Sequence, residues 1–307
     1  MRKLQIKVQQ GKDWKKFFDR GPRNRKQKRS EKKGGTIKDL CEYSAYVFPN
    51  TPIKELLGII VENELRRVPV LSPGTKKIVG EVKGSDLLEL FFFGPKHEIF
   101  EKNGFAKTLN LPVRVIYSKN PESVDVKESI IELLKKMSGG KGIIFVTDNG
   151  KFIGSISEKT VIDWLKESIV DETVENVMNP KVITIHPGFK VSDAARMMII
   201  NKIRRIPVIT YDIPKYWCML AGIITYADIL KALMLCKNEG EYYELCNKTV
   251  EEIMTKNPVT IEPKEKISKA IKIFAESGHG ALPVFTHDVL HGILTRRDIL
   301  KNIKFEK

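Results

Sequence analysis

The chain has 307 residues, of which 42% are apolar, so it is long enough for about two domains of ~150 residues with hydrophobic cores. It has no run of ~18 apolar residues that could cross a bilayer, no apolar stretch of a signal peptide at its start, and no zinc-site spacing among its 4 cysteines. These features predict a cytosolic protein with reduced thiols, without a membrane anchor or a metal site. The formal net charge of +15 lies mostly in residues 1–36, which carry 14 Lys or Arg against 3 acidic residues. Such an asymmetry is typical of an arm with its own function.

The N-terminal arm, residues 1–35, begins with an apolar–polar alternation over residues 4–8 that favours an edge strand. Trp14, Phe17 and Phe18 follow at helical spacing. A short helix over residues 12–19 would gather these rings on one face, against either the body of the protein or a partner. The next segment, residues 20–33, should be disordered in isolation, because it buries too little surface to offset its ordering entropy. Its basic residues are Arg20, Arg23, Arg25, Lys26, Lys28, Arg29, Lys32 and Lys33.

One strand-to-helix motif recurs four times along the rest of the chain. At residues 222–228 a glycine, an apolar pair, a threonine and an aspartate follow one another, and residues 292–298 repeat this order. Weaker copies stand at residues 80–86 and 154–160. The glycines that open the four copies are 74, 68 and 70 residues apart, a period that suits a small βαββα unit.

Each repeat is predicted to contain a first strand, a helix, a strand entered through proline, and the glycine strand that leads into a second helix. In the first repeat, for example, apolar residues share one face of a helix over residues 53–64. The second repeat is degenerate: Ile144 stands where the others have proline, and Thr160 where they have aspartate. The repeats span residues 36–93, 111–165, 174–235 and 250–304, and residues 94–110 form a linker that we expect to be partly helical.

Four copies that agree in order and spacing resemble the CBS domain, over residues 36–304. CBS domains generally pair into two-repeat modules that bind adenosyl ligands in the clefts between repeats. Four repeats in one chain are similar to the gamma subunit of AMP-activated protein kinase and to archaeal stand-alone relatives. The resemblance implies an α/β (α+β) fold with two tandem CBS-pair modules in a disc-like, pseudo-symmetric body. Repeats one and two would form one module, and repeats three and four the other.

The recurring residue types also suit a nucleotide on chemical grounds. A carboxylate at the start of a helix accepts hydrogen bonds from both hydroxyls of a ribose, an arrangement that a 2′-deoxy sugar cannot complete. A threonine hydroxyl at a helix N-terminus and a nearby pair of arginines favour a phosphate. The alternatives are structural, because aspartate is also a good helix cap and arginines are common surface charges.

Carried over from the resemblance, the nucleotide site is most complete in the third repeat. Its residues there are Thr184, Arg204, Arg205, Thr225 and Asp228. The fourth repeat keeps Thr260, Thr295 and Asp298 but lacks the arginine pair, so His279 or arginines of a neighbouring repeat would hold its phosphates. His279 is alternatively an ordinary loop residue. The first repeat offers Arg66, Arg67 and Asp86, with Lys83 and Tyr46 replacing its two threonines. The second repeat lacks the aspartate and should hold no nucleotide in the same manner.

We therefore expect a non-catalytic regulatory or sensor protein that binds AMP, ADP or ATP, with S-adenosylmethionine as the alternative adenosyl ligand. The sequence has no Walker loop, no Gly-x-Ser-x-Gly elbow and no His-Glu-x-x-His motif. The basic arm should dock on RNA or the ribosome, since its charges would neutralise several phosphates; otherwise it is a solubilising tail. The alternative function is a regulatory subunit of a kinase-like or other enzyme partner without nucleic-acid binding. A protein partner or a homodimer fits either function.

Overall fold

The computed structural model describes residues 4–5, 36–166, 170–212 and 217–304. Trp14, Phe17 and Phe18 and the basic segment over residues 20–33 lie outside these ranges, so the predictions for the arm stay predictions. Within the described ranges, no helix is both long and apolar enough to span a membrane.

The first repeat shows how the local sequence sets its elements. They are α1 (Ile37–Leu40), α2 (Ile53–Glu62), β2 (Arg67–Leu71), β3 (Ile78–Lys83) and α3 (Gly84–Phe91). Ile53, Leu56, Leu57 and Ile60 recur at helical spacing, and all four are buried on the face of α2 that meets the core. The helix is therefore held by its apolar side, as its periodicity predicts.

The linker that follows repeat one is helical, which confirms the prediction for this segment. Helix α4 (His97–Asn110) is kinked at Gly104, whose φ of 69° lies in the left-handed region that favours glycine. The rings of Phe100 and Phe105 pack on Tyr242 with centroid distances of 4.8 and 5.6 Å. The Tyr242 hydroxyl donates to the carbonyl of Phe91. This aromatic cluster anchors α4.

The other three repeats follow the same order of elements. Repeat two contains β4 (Ser123–Asp125), α5 (Ile130–Ser138), β5 (Ile143–Asp148), β6 (Lys151–Ser157) and α6 (Glu158–Trp164). Repeat three contains α7 (Val191–Ile200), β7 (Arg205–Asp212), β8 (Trp217–Thr225) and α8 (Tyr226–Leu235), followed by α9 (Glu239–Asn247). Repeat four contains α10 (Val250–Ile253), β9 (Thr255–Lys256), α11 (Ile267–Ser277), β10 (Ala281–Thr286), β11 (Val289–Thr295) and α12 (Arg296–Asn302).

The two long strands of each repeat form an antiparallel hairpin with the same register in all four copies. The motif glycines pair with valines, and a β-bulge follows each valine: Val70 with Gly80, Val146 with Gly154, Val208 with Gly222 and Val284 with Gly292. Proline precedes the valine in three of these strands. In repeat two the corresponding residue is Phe145, which pairs with Ser155. The assignment of Ile144 to the proline position is therefore wrong by one residue.

The first strand of each repeat is short and lies parallel to the second strand. In repeat two it is β4, and in the other repeats it is a single bridge. The bridges join Val47 to Val70, Ile185 to Val208 and Ile261 to Val284. The residues before the bridges are Tyr46, Thr184 and Thr260, and Ser123 takes this position in repeat two. The threonines that align in sequence therefore occupy equivalent positions in the strand register.

A further stretch of backbone crosses each hairpin at its glycine. These stretches, here called lead segments, each begin a repeat and comprise residues 36–44, 111–121, 173–181 and 249–258. Glu42 exchanges two backbone hydrogen bonds with Ser155, at 3.0 and 2.9 Å, and Ser118 exchanges two with Glu81, both at 2.9 Å. Asn179 pairs with Ile293 in the same way, and β9 pairs with β8. Repeats one and two therefore exchange their lead segments, as do repeats three and four.

The motif glycines permit this crossing. A Cβ at Gly80 would lie 2.7 Å from the Ser118 carbonyl oxygen, and one at Gly222 would lie 2.7 Å from that of Thr255. At Gly292 the nearest carbonyl, that of Asn179, would be 2.8 Å away. Because these obstacles are backbone atoms, they cannot turn aside as the end of a flexible side chain can. The recurrence of glycine thus has a packing cause.

The described contacts divide the chain into two compact units. Unit one comprises Met1–Ser44, Glu122–Lys181 and Val259–Lys307, and unit two comprises Ala45–Pro121 and Val182–Pro258. Unit one therefore contains repeats two and four, and unit two contains repeats one and three. Each unit has its own core, around Phe274 in unit one and around Leu87 and Leu230 in unit two.

This division follows the packing of the helices, whereas the expected pairing of sequence neighbours corresponds to the exchange of lead segments. Helices carry the broad apolar faces, and in unit two α2 and α3 pack on α7 and α8, whereas in unit one α11 and α12 pack on α5 and α6. Helix packing thus joins repeat one to three and repeat two to four. The exchanged lead segments are what link the sequence neighbours.

Unit one also holds the first strand. Strand β1 (Leu4–Gln5) pairs in parallel with β12 (Ile303–Lys304), which confirms a strand at two of the residues 4–8. Helix α1 lies in the same unit. The chain between Gln5 and Thr36, which contains the basic segment, is therefore joined at both ends to unit one.

Replacing Gly80 with alanine should lower the free energy of unfolding by about 1–3 kcal/mol, because the added Cβ displaces the Ser118 backbone and strains the exchanged hydrogen bonds. Urea denaturation followed by circular dichroism measures the change. Gly58 is the matched control, since it lies in α2 of the same repeat and a Cβ there would approach only the Glu62 carboxylate, at 3.9 Å. Gly58→Ala should stabilise the protein by about 0.5–1 kcal/mol. Equal effects of the two substitutions would contradict this account.

Candidate functional site

The strand-to-helix junction of repeat three gathers four of its five predicted residues. Thr225 ends β8 and is the N-cap of α8, and Asp228 takes the third helical position, so the two form a capping box. Asp228 Oδ2 accepts hydrogen bonds from the Thr225 N–H at 2.8 Å and from its hydroxyl at 2.7 Å. Arg205 lies opposite Thr225 in the hairpin, and the Tyr226 N–H donates to the Arg204 carbonyl at 3.0 Å. Both arginines therefore start at the junction.

The junction of repeat four repeats this geometry without the arginine pair. Asp298 Oδ2 accepts from the Thr295 N–H at 2.9 Å and from its hydroxyl at 2.6 Å. Ala281 stands opposite Thr295, where repeat three has arginine. His279 is exposed, and Arg297, next to Asp298, donates to the Glu158 carboxylate at 3.3 Å. Phosphate binding by His279 thus stays a prediction.

In both junctions the threonine bonds end on Oδ2 of the aspartate. Among the residues that the structure describes, none forms a hydrogen bond with Oδ1 of Asp228 or Asp298. A carboxylate needs both oxygens to hold two hydroxyls of one sugar. Each junction therefore keeps one carboxylate oxygen for a further donor.

Burial sets these two aspartates apart from ordinary helix caps. It raises the pKa of Asp228 and of Asp298 above the usual range, although the hydrogen bonds from Thr225 and Thr295 act in the opposite direction. Glu252 forms the same box with Thr249 at the surface of α10, and the backbone hydrogen bond from Thr249 lowers its pKa. Helix capping therefore does not require a buried carboxylate. A buried carboxylate whose charge is disfavoured is typical of a ligand site.

A small cavity lies beside the first strand of repeat three. Its volume is about 160 Å³, below the ~300 Å³ of a site that holds a whole drug-sized ligand. It is lined by Thr184, Ile185, His186, Phe189, Met197 and Ile209. Thr184 therefore faces this largely apolar cavity, with β7 between it and β8, while Thr225 and Asp228 meet at the junction. A flat base fits such a lining better than a charged group does.

Tyr226 in unit two is influenced by the charges of arginines from two repeats. The Tyr226 ring is buried and packs over Gly84, where a Cβ would collide with it. Burial raises the pKa of its hydroxyl, while the charges of Arg66, Arg204 and Arg205 lower it. The backbone of both repeats lies next to this tyrosine, since its N–H donates to the Arg204 carbonyl at 3.0 Å and its hydroxyl donates to the carbonyl of Leu65, the residue before Arg66, at 3.4 Å. Sequence comparison misses this cluster, because Arg66 belongs to a different repeat.

The junction of repeat one holds its predicted residues in ion pairs. Asp86 is buried and accepts from the Lys83 N–H at 2.7 Å, but its Oδ1 faces the ammonium of Lys96 at 3.0 Å. Arg67, which the sequence assigns to phosphate, donates to both oxygens of the buried Glu81 carboxylate, at 3.2 and 3.1 Å. Both side chains are therefore already engaged within the protein.

Repeat two lacks the aspartate, yet another carboxylate lies at its junction. Thr160 forms a capping box with Ser157, and their hydroxyls are 3.0 Å apart. Partial burial raises the pKa of Glu42, and a hydrogen bond with Thr160 opposes the rise. Asp163 adds a like charge nearby. Sequence analysis misses Glu42 because only the exchange of lead segments joins it to repeat two.

Comparison with known families decides what the repeats are. The CBS domain matches this chain four times, at residues 37–92, 113–167, 174–235 and 250–304. The chain belongs to the CBS-domain family. Each match contains one of the four junctions, and the α/β fold with four CBS repeats confirms the predicted fold class.

Protein MJ1225 of Methanocaldococcus jannaschii is similar to this CBS-domain protein over most of both chains. It is 32% identical over 269 residues, which are 83% of this chain and 93% of MJ1225. The crystal structure of MJ1225, proposed to be an archaeal homologue of g-AMPK, matches with a TM-score of 0.78 and 28% identity over 87% of this chain and 99% of that chain.

Two further relatives are similar to different shares of this CBS-domain protein. A 33.4 kDa protein in a ribosomal RNA operon of Thermofilum pendens is 25% identical over 277 residues, 84% of this chain and 87% of its own length. Homoserine O-acetyltransferase of Methanohalobium evestigatum is 33% identical over 149 residues, 48% of this chain but 27% of the enzyme. The likeness to the enzyme thus covers a minor part of it.

Asp228→Asn should change the pH dependence of stability. Burial raises the folded-state pKa of Asp228 above the usual 3.8. The wild type therefore loses stability as the pH rises from 3.8 through the folded-state pKa, because Asp228 must ionise in a buried position. Asparagine does not ionise, so the variant does not lose this stability. Relative to the wild type, the variant should therefore gain stability between pH 3 and pH 7 in thermal melts. Glu252→Gln is the control with the opposite sign, since the folded-state pKa of Glu252 is lowered. Parallel pH profiles for both variants would refute the assignment.

Proposed function

We propose that this CBS-domain protein is a non-catalytic, cytosolic regulator that binds an adenine nucleotide, AMP, ADP or ATP, at the junctions of repeats three and four. The observation that carries the proposal is the pair of buried aspartates, Asp228 and Asp298. Each has one oxygen committed to its threonine and one available to a ligand. Ionised Asp228 would receive the ribose hydroxyls, and the likeness to MJ1225, itself proposed as a homologue of g-AMPK, supports the same ligand class.

The charges of unit two favour a phosphate tail at repeat three. The charges of Arg66, Arg204 and Arg205 all act on Tyr226, and guanidinium groups bind phosphate oxygens in pairs. The cavity that includes Thr184 and Met197 would take the base. S-adenosylmethionine also has a ribose, but it carries a sulfonium cation that three arginines would repel. This cluster therefore supports a nucleotide over S-adenosylmethionine.

Repeat four would bind a nucleotide more weakly. Ala281 takes the place of the arginine opposite Thr295, and Arg297 is paired with Glu158. Thr260 and His279 are both exposed and would supply the remaining polar contacts. We therefore expect this junction to discriminate little between AMP and ATP.

The regulatory role follows from what the junctions can do chemically. They offer acceptors and cations for binding, but no nucleophile beside a base. Nucleotide binding would bias the arrangement of helices that begin at the junctions, and a partner would read that change. The partial likeness to a homoserine O-acetyltransferase fits a regulatory segment, since it spans 27% of that enzyme.

Ribose recognition predicts a specific loss. Asp228→Ala combined with Asp298→Ala should weaken AMP binding about 10- to 100-fold in isothermal titration calorimetry. The wild type should bind 2′-deoxy-AMP more weakly than AMP, and the double variant should bind both alike. Asp39→Ala with Asp193→Ala is the matched control, because it also removes one capping-box aspartate from each unit. Absence of AMP, ADP and ATP binding by the wild type would refute the proposed function.

A second function is favoured by the charge of the arm. We propose that the arm docks the protein on RNA, as on the ribosome, since residues 1–36 carry +11 of the net +15. The arm is joined to unit one at both ends, through β1 and α1, so it would present its charges on the nucleotide-binding body. One relative is encoded in a ribosomal RNA operon. The competing function is that of a regulatory subunit of a kinase-like or other enzyme, in which the arm binds no nucleic acid.

Neutralising the arm discriminates between these functions. Replacing the eight Lys and Arg of residues 20–33 with Ser and Gln should abolish co-sedimentation with ribosomes in low salt, while β1 stays intact. Each phosphate contact that is lost should reduce the magnitude of the slope of log affinity against log salt by ~0.7 for single-stranded RNA. A variant with residues 20–33 in scrambled order keeps the charge and should bind as the wild type does. Undiminished sedimentation of the neutral arm would exclude RNA docking through it.

A further inference from the structure

At the junction of repeat one, Lys96 contacts Oδ1 of the aspartate, the oxygen that accepts no hydrogen bond from a described residue at the junctions of repeats three and four. Its ammonium lies 3.0 Å from Asp86 Oδ1 and 2.6 Å from Glu89 Oε2. The boxes are otherwise alike, because Asp86 also takes the N–H of residue 83 on Oδ2. In the described part of repeats three and four, no side chain bonds to the equivalent Oδ1 of Asp228 or Asp298.

The backbone of Lys96 is fixed by the inserted helix. Lys96 is the N-cap of α4, and the ring of the next residue, His97, reaches the Leu90 carbonyl at 3.0 Å and stacks on Phe100 at 5.3 Å. Phe100 in turn belongs to the aromatic cluster on Tyr242. The helix therefore delivers the lysine to Asp86 as part of its packing.

The ion pair is largely shielded from water. The Lys96 side chain is 27% exposed and that of Asp86 is 9% exposed. Burial acts to lower the pKa of Lys96, but hydrogen bonds with Glu89 and Asp86 and their charges outweigh it, so the pKa is raised. The ammonium thus stays charged at neutral pH.

We propose that Lys96 is an internal ligand of repeat one that excludes the ribose of a nucleotide from Asp86. The inference rests on the proposed function, because it assigns to Asp86 the ribose-binding chemistry of Asp228 and Asp298. A ribose hydroxyl is a neutral donor, whereas an ammonium forms a charge-assisted hydrogen bond roughly twice as strong. Displacing Lys96 would also leave the buried Asp86 carboxylate without a compensating cation, which is unfavourable. Repeat one therefore stays closed while repeats three and four bind.

Removing the lysine should open the site. Lys96→Met keeps the length of the side chain without its charge, and it should raise the number of AMP molecules bound per chain by one in isothermal titration calorimetry. Adding Asp86→Ala to this variant should abolish the gain. Lys96→Arg retains the cation and should bind the wild-type number, as should Lys102→Met, which removes an exposed lysine of the same helix.

Two calorimetric results would overturn the inference. One is an unchanged number of bound AMP molecules in a folded Lys96→Met protein, verified by circular dichroism. The other is a lower number after Asp86→Ala alone, which would mean that the wild-type site is already open. Should Lys96→Met not fold, Lys96→Gln takes its place, because it removes the charge and leaves a neutral donor that a ribose hydroxyl can replace at Asp86.

Acetylation of amines, read by mass spectrometry, tests the lysine independently of nucleotide affinity. Lys96 should react more slowly than Lys102, whose side chain is 76% exposed, and equally slowly with and without AMP. Faster acetylation of Lys96 on adding AMP would overturn the inference, since the nucleotide would then displace the lysine. Should AMP bind nowhere on the wild type, the proposed function fails, whereas slow acetylation would still support the closed junction.

Discussion

In each repeat a lead segment crosses the β-hairpin so closely that the residue beneath it cannot carry a Cβ. Gly80, Gly222 and Gly292 each leave space for a carbonyl that a side chain would meet at less than 3 Å. The threonine and the aspartate of a junction follow this glycine by three and six residues. The crossing therefore fixes the positions of the hydroxyl and the carboxylate relative to the neighbouring backbone. The same contact carries Glu42 to Thr160 in repeat two.

Four junctions built on one capping box have come to differ in charge. Among the described residues, none donates to Oδ1 of Asp228 or Asp298, and burial disfavours the ionised form of both carboxylates. Asp86 has the same backbone geometry, but an ammonium neutralises it. Thr160 replaces the carboxylate altogether. Since the box itself would stabilise the helix in every case, helix capping does not account for these differences in charge.

Local features of the fold could be predicted from the sequence, and long-range contacts could not. The buried face of α2 and the positions of Thr225 and Asp228 follow from periodicity and recurrence. The proline position of repeat two cannot be located from the sequence because no proline marks it, and only the hairpin register identifies Phe145. Lys96, Glu42 and the meeting of Arg66 with Arg204 and Arg205 depend on tertiary contacts. The pairing of repeats through their helices was hidden for the same reason, since chain order does not reveal which helix faces meet.

The interleaved units also set an order of completion during synthesis. Unit two ends at Pro258, whereas unit one requires Val259–Lys307 and, for the pairing of β1, the strand at Ile303–Lys304. A ribosome can therefore release every residue of unit two while repeat two still lacks the helices of repeat four. Over that interval α5 and α6 lack the contacts that they make with α11 and α12. The repeat that covers these helices of repeat two is thus the last of the four to be synthesised.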